Sequence, residues 1–501
     1  MRSLNTPVKQ IRRQIFTEIA KIGFESSDEN LIHDIEAIPY TIVQEEAKYR
    51  DSIYRERAVA SERVRLAMGM SLRPENRAVH LTDGIEASNI DEKYYEPPLM
   101  QVIPSACAAC APNKYEVSNI CKGCVAHPCM LICPKGAISM VNGYSYIDQS
   151  KCIKCGKCKS VCPYDAISHK TRPCERACGV NAITSDAQGR ATIVTDKCVS
   201  CGMCMVSCPF GAISDKSQIF QLAHALREGT RIIAEVAPAY VGQFGENVTT
   251  RQFHAGLLAL GFSEVYEVAM GADIGAITEA HHYANEVATG NLPFLLTSCC
   301  PSWIMMAEKF FPDMDVNISK ELTPMVATAR SIKKKHPDAK VVFIGPCASK
   351  KLEASRTTVR SDVDFVITFE ELSAMFDAKD IHLEDFQGET SLHNATGAGR
   401  GYAAAGGVAG AIEACLKEYY PDVPVHIEHA ESLAECKKIL TLAKAGKLNG
   451  CMIEGMACPG GCIGGAGTNA DPKKAKKALN KLIADSTQKI PPKELEDIQL
   501  D

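Results

Sequence analysis

The chain has 501 residues, 46% of them apolar and 23% charged, and 55 basic against 60 acidic side chains leave a formal net charge of −5. That balance belongs to a chain that buries ordinary cores, about three domains' worth. It excludes wholesale disorder, gives no bulk electrostatic reason to bind nucleic acid, and goes with no apolar run near the roughly 18 residues of a membrane span. The outlier is cysteine: 24 residues, of which 16 fall between Cys107 and Cys208.

Residues 1–100 contain no cysteine and read as a helical N-terminal segment. Ile11, Ile15, Ile19 and Ile22 recur about once per helical turn, the pattern of an amphipathic helix docked on its own protein. A secretory signal is not expected, because the start lacks an apolar core of the required length; a basic transit peptide is the alternative reading. A cytoplasmic location is therefore expected, with the cysteines reduced and open to metals. The charge-laced stretch Glu45 to Met68 reads as a helix with a solvated charged face, and no chemistry is assigned to it. Residues 101–217 are cysteine-dense, with so little apolar material that metal must supply part of the folding energy. Across 218–470, apolar runs at 231–240, 293–298, 340–345 and 450–456 alternate with helical patterns such as 303–311 and 431–447, which predicts an α/β region with mostly parallel sheets flanked by helices. Residues 471–501, with Lys473, Lys474, Lys476 and Lys477, read as a basic helix and tail whose lysines face solvent.

Within the cysteine-rich segment one phrase recurs four times: CPKGAI from Cys133, CPYDAI from Cys162, CGVNAI from Cys178 and CPFGAI from Cys208. Two copies complete the run C-x2-C-x2-C-x3-C-P, namely Cys152, Cys155, Cys158, Cys162 and Cys198, Cys201, Cys204, Cys208. This is the spacing of ferredoxin-like 4Fe-4S binding. Cys121, Cys124, Cys129 and Cys133 form a third arm with a widened gap. The fourth arm keeps Cys174 and Cys178, and Cys107 with Cys110 can supply its missing pair. Sixteen cysteines fit up to four cubanes.

Two pairings follow from different premises. The segment resembles the four-cluster ferredoxin subunits of molybdenum oxidoreductases. That resemblance implies Cys121, Cys124, Cys129 with Cys162 and Cys152, Cys155, Cys158 with Cys133, then Cys107, Cys110, Cys174 with Cys208 and Cys198, Cys201, Cys204 with Cys178. If the two complete motifs pair directly, Cys162 and Cys208 exchange clusters. A zinc ribbon from Cys107, Cys110, Cys121 and Cys124 is a further alternative. Clusters closed by cysteine alone carry electrons and transform no substrate, so the catalyst is expected elsewhere.

In the α/β region three apolar runs end at cysteines: at Cys299 and Cys300, at Cys347, and at Cys458 followed by Cys462. Ligands of open α/β folds bind at the carboxyl ends of strands, and the glycines and prolines beside these thiols let backbone close on a bulky group. The segments TSCCPSW (297–303), GPCASKKLE (345–353) and EGMACPGGCIGGAG (454–467) resemble the three signature segments of the iron-only (FeFe) hydrogenases, over about 230–467, as a divergent branch with an N-terminal multi-cluster ferredoxin-like segment.

The resemblance implies an H-cluster. Cys300, Cys347, Cys458 and Cys462 would hold a 4Fe-4S cubane, linked through Cys462 to a two-iron subsite bearing carbonyl, cyanide and a dithiolate amine. The implied reaction is the reversible 2H⁺ + 2e⁻ to dihydrogen, with electrons exchanged with a ferredoxin or similar redox carrier and the cofactor installed by H-cluster maturation proteins. Lys350 is then the donor to a cyanide, Ala237, Pro238 and Met456 line the cofactor, Cys299 passes protons to its amine, and Glu279 and Ser319 continue the proton relay. Departures from the family pattern are Gly345 in place of the common Met, Met325 in place of an amide, and His282 at a carboxylate position of the outer relay; His281 and His282 read equally as relay members or surface histidines. Cys415, Cys436 and Cys451 read as structural thiols. The glycine run 397–407 fails the dinucleotide fingerprint and reads as close backbone packing. A non-enzymatic sensor or cluster-assembly relative is the competing function, and a pure electron-transfer ferredoxin leaves the strand-end cysteines unexplained.

Overall fold

The computed structural model describes residues 6–27, 29–390, 392 and 395–494. The N-terminal isoleucines do what their spacing predicts. Thr6 caps the helix Pro7–Glu25, whose inner face buries Ile15, Phe16, Ile19, Ala20 and Phe24. Its fit on the helix Ile219–Arg227 depends on Gly23, where a Cβ would sit 2.7 Å from Ala223 Cβ. Two more helices, Leu31–Ile42 and Ile53–Ala67, pack beside it.

Here one expectation fails. The helix proposed from Glu45 begins only at Ile53, capped by Ser52, and its charges are not solvated: Glu56, Glu62, Arg63 and Arg65 are buried. Glu62 pairs with Arg73 at 2.6 Å, and main-chain groups take up the charges of Glu56 and Arg65. Glu56 accepts from the N–H of Lys48 at 3.2 Å and of Arg50 at 2.8 Å, and Arg65 donates to the carbonyls of Ser71, Leu81 and Asp83.

The cysteine-rich segment is two nested modules of antiparallel ribbons. Met100–Val102 pairs with Ile213–Asp215 around the hairpin of Ile183–Ser185 and Ala191–Ile193. Lys114–Val117 pairs with Ile167–Lys170 around the hairpin of Ile138–Val141 and Tyr144–Ile147. The second module is inserted in the first, between residues 103 and 183, so the two complete cysteine motifs fall in different modules.

The repeat phrase has a local cause. Its fourth residue, Gly136, Asp165, Asn181 or Gly211, is left-handed in every copy, φ between 48° and 59°. Glycine, asparagine and aspartate are the residues that adopt this conformation at least cost. The turn points the next N–H back at the cysteine: Ala137, Ala182 and Ala212 donate to Cys133, Cys178 and Cys208 Sγ at 3.2–3.4 Å.

From residue 219 the fold is α/β, as expected. Four parallel strands run in the order Glu264–Glu267, Ile232–Val236, Lys340–Gly345, Phe365–Thr368, and three more in the order Phe294–Leu296, Cys451–Met456, His426–Glu431. Strands buried on both faces account for the continuous apolar runs. The helix Pro472–Ala484 keeps its four lysines in solvent while Ala475 and Leu479 are fully buried, so this helix is docked on the protein; the end of the expected tail lies outside the described residues.

Candidate active site and electron path

The strand ends place the thiols. Ile453 and Thr297 are joined by a backbone hydrogen bond of 3.1 Å, which brings the segment after Leu296 alongside the strand that leads to Cys458. Pro301 opens the helix Pro301–Phe310 directly after Cys300. Trp303, fully buried, donates from Nε1 to the Thr297 carbonyl at 3.0 Å and covers Gly455, where a Cβ would fall 2.1 Å from the indole. The first and third cysteine segments are thus locked together by one ring.

Cys299, Cys300, Cys347, Cys458 and Cys462 remain partly accessible within a shell of buried residues that includes Ser302, Ala348, Ser349, Met456, Ala457 and Ile463. Burial and the neighbouring Cys300 push the Cys347 thiol up to about 11, and burial with Cys347 and Cys300 raises Cys462 as well. Thiolates crowded in this way require positive charge among them, and a metal cluster supplies it. Lys350 stands over the set, its charge felt at Cys300, Cys347 and Cys462. Its Nζ lies 2.7 Å from Glu353 Oε2, and a single carboxylate oxygen leaves this buried three-donor ammonium with donors to offer. Four thiols, a buried donor and a close glycine backbone (Gly461 within 2.4 Å of Ala405 N, were it to carry a Cβ) fit a bulky anionic iron–sulfur cofactor.

Behind Cys299 lies Glu279, near the end of the helix Ala269–His282. Ser298 Oγ is 3.5 Å from Glu279 Oε1, and Ser319 also bonds the carboxyl. Burial pushes this carboxyl up to about 7 from its ordinary 4.5. Burial also raises the Cys299 thiol well above its usual range, keeping it protonated. Ala237 and Met456 are buried at the carboxyl ends of their strands and Pro238 follows. His281 faces outward, bonded to Tyr420 OH at 2.9 Å and Asn285 at 2.8 Å, so it is a surface histidine. His282 is half-buried. Gly345 is covered by the ring of Phe343, within 2.5 Å of where a Cβ would stand, so an aromatic occupies the room a longer side chain at 345 would take.

Sequence reasoning passed over Glu235. It sits mid-strand, fully buried, with both carboxylate oxygens lacking a partner among the described residues, and burial raises it well above the carboxylate range against the pull of Lys350. A lone acid inside the run IIAEV was the available signal. Glu353 was passed over too, although it lies in the quoted segment. Cys415 and Cys436 are fully buried as structural thiols; Cys451 is half-buried.

Three small cavities are each ringed by four thiols: Cys121, Cys124, Cys129, Cys162; then Cys178, Cys198, Cys201, Cys204; then Cys107, Cys110, Cys174, Cys208. Cys133, Cys152 and Cys158 pack in one core that also holds Cys129 and Cys162. The three cavities group Cys162, Cys178 and Cys208 as the outer–inner pairing would, and the two complete motifs lie in separate modules. Among the described residues no three Cys, His, Asp or Glu side chains converge on a point fit for a single ion. Ala109 between Cys107 and Cys110 is left-handed (φ 46°), like Gly123, Lys154 and Ser200 in the other three C-x2-C arms, so the fourth arm has the conformation of its siblings. Cys201 and Cys300 lie within electrostatic reach, as do Cys204 and Cys174, which makes a chain from one module to the strand-end thiols.

Residues 230–466 match the family described as iron only hydrogenase large subunit, C-terminal domain. Residues 145–168 match a 4Fe-4S binding domain, and 168–219 an LdpA Fe-S cluster-binding domain. Iron hydrogenase 1 of Clostridium pasteurianum is 30% identical over 389 residues, 67% of each chain. The chain belongs to the iron-only hydrogenases. A second relative of the hydrogenase, the NADP-reducing hydrogenase subunit HndD of Solidesulfovibrio fructosivorans, is 28% identical over 410 residues, 68% of each chain. The solved [FeFe]-hydrogenase HydA1 of Chlamydomonas reinhardtii is 25% identical, with a TM-score of 0.44 over 55% of this hydrogenase and 89% of that chain. The hydrogenase is an oxidoreductase with iron–sulfur segments, and no helix among its described residues is long and apolar enough to cross a membrane.

Proposed function

We propose that this hydrogenase interconverts protons, electrons and dihydrogen at an H-cluster held by Cys300, Cys347, Cys458 and Cys462. The observation that supports it is the grouping of Cys300, Cys347 and Cys462 within electrostatic reach of the buried Lys350 ammonium, with the Cys299 thiol and the Glu279 carboxyl, both raised by burial, close by. The cofactor, when bound, supplies the redox-active metal at which the H–H bond is made or broken. The chain supplies the rest. Lys350 Nζ, held by Glu353, anchors an anionic ligand of the cofactor; Ala237, Pro238 and Met456 exclude water; Cys299 Sγ gives or takes the proton at the cofactor, and Glu279 passes it on through Ser319 and Ser298.

Electrons arrive through four 4Fe-4S clusters, the last of them on Cys178, Cys198, Cys201 and Cys204. The working division is 1–100, 101–217, 218–470 and 471–501. The partner is an acidic ferredoxin-type carrier. Residues 111–170 hold eight lysines against three carboxylates in a chain of net charge −5, with Lys122, Lys135, Lys151, Lys154, Lys157 and Lys159 exposed beside Val125, Leu131 and Ile153. Charge complementarity of this kind speeds encounter and is screened by salt. Maturation proteins would install the two-iron subsite.

Gas-exchange assay of matured protein, with infrared spectra, tests the reading. Carbonyl and cyanide bands with hydrogen turnover are expected, and their absence from matured protein would refute it. Cys299→Ala should keep the bands and lower turnover by about 10²–10⁴, the usual worth of a positioned acid–base group. Metal analysis should give about 22 irons per chain for five cubanes and two further irons; stoichiometric zinc would restore the ribbon.

A further inference from the structure

The buried charges of the helix Ile53–Ala67 are not all compensated. A cavity of 570 Å³ opens where three parts of the chain meet: the first turns of Pro7–Glu25 with the loop before Ile53, the loop Cys208–Phe210, and the glycine-rich loop Gly465–Thr468 that follows Cys462. That volume is usual for a small-molecule site. Its walls carry Lys9, Arg12, Lys48, Arg50 and Arg63 against Glu46, Glu56 and Glu370.

Arg12 is matched: its guanidinium bonds Glu370 at 3.0 Å and Asp215 at 3.4 Å. Glu56 is occupied by main-chain N–H groups, as described above. Arg63 is different. It is 6% exposed, makes no ion pair among the described residues, and donates from Nη2 to the Gly211 carbonyl while its Nε has no acceptor. Arg50 likewise reaches only carbonyls, Ala106 at 3.4 Å and Phe210 at 3.0 Å. Burial, with Arg12 and Arg50 close by, pushes the Arg63 guanidinium down to about 9 against the opposing pull of Glu370 and Cys208, neither of which pairs with it directly. A buried ion left unpaired is costly, and its cost is relieved by an anion that reaches it.

We propose that this cavity binds a small organic anion, a carboxylate or phosphate on an apolar body, with the charged group on Arg63 and Arg50 and the body against Ile11, Val43, Val59 and Met205. The planar guanidinium suits both oxyanions, and the aliphatic wall disfavours a bare inorganic ion. A ligand here touches the N-terminal helices, the loop carrying Cys208 and the loop leaving Cys462 at once. The site is separate from the strand-end thiols, so the proposal stands or falls independently of the reaction assigned to them.

Calorimetric titration of the anaerobically purified, cluster-loaded full chain with phenyl phosphate, benzoate and inorganic phosphate tests it. Saturable one-to-one binding of at least one aromatic anion is expected, with inorganic phosphate at least tenfold weaker. Arg63→Gln and Ile11→Trp should each weaken binding at least tenfold, the latter by filling the apolar end while leaving Arg63 in place, which keeps the test decisive if Arg63→Gln does not fold. No saturable binding of either aromatic anion, equal affinity for inorganic phosphate, or affinity unchanged in the folded variants overturns the proposal.

Discussion

Replacing Glu279 by Gln tests a proton role and a stability penalty with one substitution. The carboxyl is held at about 7 by burial, against 4.5 when the chain unfolds. For an acid whose folded value is raised, the penalty is absent below 4.5, grows as the unfolded chain ionises, and levels off above 7. At about 1.4 kcal/mol per pH unit, the penalty is about 1.4 kcal/mol at pH 5.5 and about 3 kcal/mol at pH 8. Gln cannot ionise, so Glu279→Gln should gain stability over the native chain as pH rises, by about 2 kcal/mol between those two values. If the α/β region melts as a unit, that is a relative shift of roughly 5 °C in Tm. Anaerobic calorimetric melts of both proteins at pH 5.5, 6.5 and 8 read it. Hydrogen turnover in the same preparations should fall by about 10²–10⁴. A Tm difference independent of pH would refute the raised carboxyl, and full turnover in a folded, loaded variant would refute the relay.

Three further outcomes are expected. Cys121→Ala combined with Cys162→Ala should remove about four irons, whereas Cys152→Ala combined with Cys162→Ala should disturb two clusters and remove about eight, because Cys162 belongs with Cys121, Cys124 and Cys129; equal losses in iron analysis would contradict that set. Lys351→Met strips a fully buried ammonium from Asp215 at 2.9 Å and Glu371 at 2.8 Å. It should cost about 3–5 kcal/mol in a thermal melt, while a change under 1 kcal/mol would show that neither acid depends on it. Gly455→Ala forces a methyl against Trp303, the sole tryptophan, and should shift its fluorescence and lower Tm; an unchanged emission spectrum would show that the ring yields freely.

Much of the architecture was legible because period and punctuation carry it. Isoleucines one turn apart marked the first helix, and apolar runs too continuous for a half-exposed sheet marked the buried parallel strands. The ferredoxin spacing was legible for the same reason: the turn geometry is local, and a left-handed residue at a fixed offset leaves Gly, Asp or Asn in the sequence. Pairing between arms was not legible, since it depends on one module being threaded through another, a relation between strands as far apart in the chain as Met100 and Asp215. Buried charge was the other blind spot. Glu56, Arg63 and Arg65 have the spacing of a solvated face, and only the carbonyls and N–H groups of distant loops reveal that they point inward. Glu235 and Glu353 escaped notice likewise, because what makes them unusual is their surroundings.

Those buried charges gather where the electron path meets the strand-end thiols. Asp215 ends the ribbon Met100–Val102 with Ile213–Asp215 and is held by Arg12 from the first helix and Lys351 from the second cysteine segment, while Glu370 and Glu371 answer from the helix Phe369–Ala378. Ser302, two residues after Cys300, donates to the Val199 carbonyl at 2.9 Å, and Lys309 donates to the Cys198 carbonyl at 2.8 Å. An apolar joint of the same area would bind as well but could slide by a residue; hydrogen bonds and ion pairs with single partners lose their partners if it slips. Electron transfer between the Cys201 set and the Cys300 set needs a fixed separation more than it needs tight adhesion. On that argument the N-terminal helices belong to the catalytic unit: through Arg12 they tie the ribbon that ends at Asp215 to the helix that carries Glu370.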